Sequence, residues 1–176
     1  NNLPSSITHL TLNIKFNQPV DNLPSSITHL TFGYRFNQSV NNLPSSITHL
    51  TFCSSFNQSV NNLPSTITHL TFSLCFNQSV NNLPSTITHL TFGNKFNQLV
   101  DNLPSSITHL TFGYYSQFNQ TVDNLPSSIT HLTFGSFSNF NQSLNNLPKF
   151  IEFIQLPAKY EKKILNIPPK TKVNKM

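Results

Sequence analysis

The sequence predicts a mainly β repeat solenoid, with one short parallel strand in each 20–22-residue coil and an irregular convex return with little or no α-helix. Three observations carry this. A phrase opening Leu3-Pro4-Ser5-Ser6-Ile7-Thr8-His9-Leu10-Thr11-Leu12 returns with its Leu-Pro pair at Leu23, Leu43, Leu63, Leu83, Leu103 and, after two inserted residues, Leu125. A fixed period near twenty marks units that bury their apolar faces only by stacking on one another. Within each unit only the stretch beginning His9-Leu10-Thr11-Leu12 alternates apolar and polar residues as a strand does. The remainder is rich in Asn, Pro and Ser, which compete with helical hydrogen bonding or cannot join it.

In chain order, residues 1–146 read as seven tandem repeats, 147–168 as a degenerate eighth repeat and cap, and 169–176 as a basic flexible tail. In the strands Leu10 and Leu12 point inward, Leu12 being replaced by Phe32, Phe52, Phe72, Phe92, Phe112 and Phe134 in later copies. Seven or eight such strands make a sheet about 35 Å tall. Phe16, Phe36, Phe56, Phe76, Phe96, Phe118 and Phe140 form an aromatic spine under the return path. An Asn follows each of them: Asn17, Asn37, Asn57, Asn77, Asn97, Asn119 and Asn141. Stacked in register, buried carboxamides of this kind satisfy turn backbone groups as an asparagine ladder. Several are formal glycosylation acceptors, but Asn17 and Asn97 keep the Asn without the acceptor pattern, which favours the structural role. The last copy puts Phe153 where His should stand, and Tyr160, Ile164, Leu165 and Ile167 follow among lysines, consistent with a short amphipathic helix near Ala158–Leu165.

Charge adds little to the repeats themselves. Up to residue 146, Lys15, Arg35 and Lys95 balance Asp21, Asp101 and Asp123; seven lysines against Glu152 and Glu161 beyond that point supply the whole net charge of +5. No basic stripe runs along the solenoid, which argues against nucleic acid as a partner of the repeats. No apolar run approaches the ~20 residues of a membrane span. Cys53 and Cys75 occupy different registers, at or beyond bridging distance, and read as reduced thiols of an intracellular protein. The chain starts at Asn1 in mid-phrase without methionine, which suggests a fragment, a processed product or missing upstream sequence.

The fixed positions Leu-Pro-Ser-Ser-Ile-Thr-His-Leu-Thr-Phe-Gly and Phe-Asn-Gln-Pro/Ser-Val resemble the FNIP repeat family, a relative of leucine-rich repeats, strongly over residues 1–146 and weakly over the next twenty. The resemblance implies a leucine-rich-repeat-like solenoid and a source among social amoebae or giant viruses of amoebae. The protein would then lie in the cytoplasm of an amoeba or amoeba host, or be associated with a virion. Members often join the repeats to an F-box or other signalling domain, which implies protein recognition. An ordinary leucine-rich pattern would put its Asn at Lys15, Arg35 or Ser55; here it comes two residues later, so standard horseshoe curvature does not follow.

No nucleophile with a base, acid–base pair or phosphate-cradling Gly loop can be assembled, so no catalytic residue, cofactor or metal is expected. His9, His29, His49, His69, His89, His109 and His131 share one outward strand position beside a parallel row of threonines. They read either as packing copied by duplication or as a partner-binding stripe, with His49, His69 and His89 at its centre; a straight row lacks the convergence of a metal site. Variation between copies concentrates just after the strand, where loops tolerate insertion and carry recognition. Tyr34, Arg35, Tyr114, Tyr115 and Phe137 there are residue types enriched at binding hot spots. The expectation is a non-catalytic module that binds another protein. The competing expectation is a structural protein whose coils or sheet faces build a larger fibre or particle, the uncapped first coil offering an edge for self-association.

Overall fold

A computed structural model describes residues 3–176. It contains nine strands: β1 His9–Thr11, β2 His29–Thr31, β3 His49–Phe52, β4 His69–Phe72, β5 His89–Phe92, β6 His109–Phe112, β7 His131–Phe134, β8 Phe153–Leu156 and β9 Lys172–Lys175. They form one parallel sheet in sequence order, with no helix among the described residues. Register is that of the repeat: His9 lies opposite His29, His29 opposite His49, and so on to His131 opposite Phe153. In β3 to β7 the Leu and Phe are buried while His and Thr are half-exposed, the alternation that a one-faced strand requires.

Each coil closes through tight turns. Before the strand, the Ile27 N–H donates to the Pro24 carbonyl, and the same bond recurs in every repeat from Ile7 to Ile151. After it, Phe16 N–H donates to the Asn13 carbonyl and Phe36 N–H to that of Gly33. Gly33 and Gly93 are needed for closeness rather than for φ. A Cβ on either would run into the backbone carbonyl of the coil before, that of Asn13 or Ser73.

The core is a double column of phenylalanine. The strand ring and the return-path ring of one coil stack face to face, as in Phe72–Phe76 at 3.7 Å, and both repeat along the axis: Phe72–Phe92 at 5.9 Å, Phe76–Phe96 at 6.1 Å. The expected spine is therefore half of the aromatic core; the strand phenylalanines lock onto it. Twelve of these rings are the largest fully buried side chains of the molecule.

The C-terminal region differs from expectation in two respects. No helix forms near Ala158–Leu165. Pro157 opens a turn in which Tyr160 N–H donates to the Pro157 carbonyl, and the Tyr160 ring stacks on Phe140 at 6.0 Å, so Tyr160 takes the spine position of the eighth coil. Its hydroxyl donates to the Gln142 carbonyl. Residues 169–176, expected as a flexible tail, instead carry β9, which pairs with β8 from Phe153–Lys172 to Leu156–Lys175. Ile167-Pro168 reproduces the Leu-Pro turn, and the Thr171 N–H donates to the Pro168 carbonyl. The described residues thus form a sheet of nine strands rather than seven or eight.

Candidate partner-binding surface

Three polar columns hold consecutive coils together. In the asparagine ladder the carboxamide oxygen of each Asn accepts the backbone N–H of the next: Asn37 to Asn17, Asn57 to Asn37 and Asn97 to Asn77 at 2.9 Å, Asn77 to Asn57 at 2.8 Å, and Asn119 to Asn97 and Asn141 to Asn119 at 2.9 Å. The following glutamine often adds a second donor, as Gln98 Nε2 does to Asn77 Oδ1 at 3.1 Å. These carboxamides are half-buried or, toward the ends, exposed, rather than buried as expected. A second column was missed. Ser26, Ser46, Thr66, Thr86, Ser106 and Ser128 each donate a hydroxyl to the Ile carbonyl of the coil before at 2.6–2.7 Å. Its signal is present in the sequence as a position that is Ser or Thr in all seven regular copies.

The third column supports the histidines. All seven imidazoles stack as one pile with centroids 4.1–4.3 Å apart and planes within 10–12°. Each Nδ1 lies 2.9 Å from the hydroxyl of the preceding Thr, Thr48 for His49, Thr68 for His69 and Thr88 for His89. The Thr48 carbonyl already accepts the N–H groups of Thr68 and His69 at 2.9 and 3.1 Å. The Thr68 hydroxyl proton is therefore better placed on His69 Nδ1 than on that carbonyl at 3.2 Å, which leaves the neutral ring protonated at Nε2. Parallel rings hold their nitrogens side by side, so the pile offers no convergent ligand set.

Burial first, then the neighbouring imidazoles, lower the pKa of His29, His69 and His109 below 6.5. The unfolded chain, whose histidines titrate near ~6.5, then takes up protons before the folded one does. Stability is full above that value and declines as pH falls through it toward the folded pKa values. The unfolding midpoint is expected to drop between pH 7.5 and 5. Replacing alternate rings, His29, His69 and His109, by Gln separates the remaining four and should flatten the profile. Equal profiles for both chains would show that the pile is too well solvated to matter.

The other expected residues lie elsewhere, on the turn after the strand. Their backbone forms its own column, with Arg35 N–H donating to Ile14 O at 3.1 Å, Ser55 to Tyr34 at 3.0 Å, Lys95 to Leu74 at 2.9 Å and Phe137 to Tyr114 at 3.0 Å. The insertion in the sixth coil alters this column: Ser116 N–H closes the turn on the Gly113 carbonyl, and Gln117 rather than Tyr115 reaches back to the coil before, at Asn94. Tyr114, Tyr115 and Phe137 form one cluster on this turn. Tyr114 meets Tyr115 edge-on at 4.8 Å and Phe137 at 5.0 Å. The three rings remain 52%, 60% and 56% exposed. Tyr34 is exposed on the same turn four coils earlier, with Arg35 beside it, and the structure does not bring it into the cluster. No ring contact links this turn to the histidine pile among the described residues, so the expected site residues form two separate surfaces. Ile14 and Leu74, also exposed in this column, were missed; the repeat register places them there directly.

Cys53 and Cys75 are half-buried free thiols on this turn, and burial pushes Cys53 up. No helix of the described residues is long and apolar enough to cross a membrane.

CroV588, a giant-virus protein whose crystal structure is described as a novel circular leucine-rich-repeat structure, superimposes with a TM-score of 0.80 at 47% identity. The match covers 89% of this chain and 24% of that one, so the chain spans about a quarter of its neighbour's length. No curated protein sequence matches. The family model for the FNIP repeat matches residues 1–34, 16–42, 36–75, 76–115 and 96–137. The strand, aromatic and asparagine positions that build this solenoid recur across the matched residues, and the chain belongs to the FNIP repeat family.

Proposed function

We infer that the solenoid is a non-catalytic module that binds another protein, and that it does so through the turn edge after the strands. The observation that carries this reading is the Tyr114–Tyr115–Phe137 cluster. Three large rings, each more than half exposed, leave contiguous apolar area in water, and patches of that kind mark interaction surfaces. They stand on a frame pinned coil to coil by backbone and side-chain bonds, so little order has to be gained on binding. Affinity capture from amoebal lysate tests the reading, with the native chain compared with Tyr114→Ser/Tyr115→Ser/Phe137→Ser. A discrete protein retained by the first and reduced about tenfold or more by the second is expected. Equal retention by both removes the turn edge from the account.

The alternative is a structural role in which stacked coils or sheet faces build a larger assembly. Sedimentation at rising concentration separates the two readings, a steady monomer supporting the binding module and growing assemblies the structural one.

A further inference from the structure

The charges of the repeats are sorted by turn. Lys15, Arg35 and Lys95 all stand on the turn after the strand, exposed, at one register position. Asp21, Asp101 and Asp123 all stand on a different turn, beyond the return segment. There each carboxylate accepts from the asparagine amide of the next coil: Asn42 at 3.0 Å, Asn124 at 3.4 Å and Asn146 at 3.2 Å. The repeats are neutral as a sum, yet the edge that carries the exposed apolar column carries cations only. The one anionic column is occupied by amides.

We propose that this edge binds an acidic polypeptide segment that carries aromatic or aliphatic side chains and lies along the solenoid axis, its carboxylates on Arg35 and Lys95 and an apolar side chain on Tyr115 and Phe137. This rests on the protein-binding reading above and names the chemistry of the partner. The coils are spaced by about 4.8 Å, so the run from the second coil to the seventh spans roughly 24 Å, the reach of about seven extended residues. Arg35 presents a fixed fork that matches a carboxylate, and cations beside an apolar patch select an acidic partner over a neutral one. Single-stranded nucleic acid fits less well. Base stacking wants a run of successive open ring faces, whereas only Tyr115 and Phe137 lie near-parallel, at 27° and 5.7 Å, Tyr114 meets both at 89° and 63°, and the other exposed apolar residues of the column are Ile14, Leu74 and one isolated tyrosine. A second copy meeting this edge about a two-fold axis would bring cations against cations.

The probe is a fluorescently labelled random copolymer of glutamate and tyrosine, titrated with the full chain and followed by anisotropy. Arg35→Glu/Lys95→Glu and Tyr115→Ser/Phe137→Ser should each weaken binding about tenfold or more, with thermal midpoints unchanged because all four side chains are exposed. Lys162→Glu/Lys163→Glu, in the lysine-rich C-terminal region, should change it less than about twofold. Binding that is absent, indifferent to both turn-edge pairs, or lost with the C-terminal pair overturns the proposal. So does oligothymidylate binding through the same residues more tightly than the copolymer, or a dimer that Tyr115→Ser/Phe137→Ser dissociates. A lysate protein that the aromatic triple variant loses but Arg35→Glu/Lys95→Glu retains would overturn the acidic partner and leave the protein-binding reading intact.

Discussion

Phe76→Ala is expected to destabilise the chain by about 3–5 kcal/mol, the cost of removing a fully buried ring and leaving its space unfilled. Phe76 lies face to face on Phe72 at 3.7 Å and between Phe56 and Phe96, each at 6.1 Å. Collapse would offset part of the loss, but the walls of this cavity are two coils already held in register by strand pairing on one side and by asparagine bonds on the other. Neither can approach without breaking those bonds. Phe16→Ala is the comparison. Phe16 occupies the same register in the open first coil, where it is only partly buried and has an aromatic neighbour on one side, Phe36 at 6.2 Å. Its loss should cost less than half as much. Denaturant titrations of both variants would decide, with midpoints and slopes read separately because stacked repeats need not unfold as one unit. Equal costs would mean that the column gains nothing from being continuous.

Asn77→Ala should cost about 1–3 kcal/mol, because the Asn97 N–H loses its acceptor at the inner side of the return path. Partial exposure of Asn77 lets water take part of that bond, which places the expectation toward the lower end of the range. Asn77→Asp retains an acceptor oxygen of the same shape and should keep most of the stability at neutral pH. Asn141→Ala, at the exposed end of the ladder, should leave the melting curve nearly unmoved. A loss at Asn77 that aspartate fails to recover would point to the amide hydrogens rather than the oxygen.

What could be read in advance follows from how often each feature is repeated. The strand, the phenylalanine at register 16 and the asparagine after it recur seven times, and their roles follow from period and residue type alone. The serine and threonine hydroxyl columns were just as regular but hidden, because Ser and Thr sit among many others and only geometry shows which carbonyl each one meets. The last two coils were misread because they keep the geometry while abandoning the phrase. Tyr160 replaces Phe, Ile167-Pro168 replaces Leu-Pro, and β9 is written Lys-Val-Asn-Lys with neither His nor a buried aromatic. Pro168 nevertheless follows Pro148 by twenty residues, so the period outlived the residues that first announced it. The aromatic cluster stands between these cases. Its members follow from residue type, and the meeting of Tyr114 with Phe137 follows from the same register pair that joins Ile14 to Arg35 and Leu74 to Lys95, but the ring geometry that gathers Tyr115 with them is visible only in three dimensions.

The asparagine ladder also has a direction. Every one of its bonds runs from the N–H of a later coil to the oxygen of an earlier one, so the two faces of any coil are chemically unlike, a donor face toward the start and an acceptor face toward the end. A coil stacked on the Asn17 side must bring an acceptor, while after Asn141 the chain continues through β8 and β9 with no further asparagine of the ladder. Two such starting faces set against each other would oppose donor to donor. The ladder therefore gives the stack a polarity: each coil can be followed only by one in the same orientation, and no two-fold axis can run between coils that share these bonds.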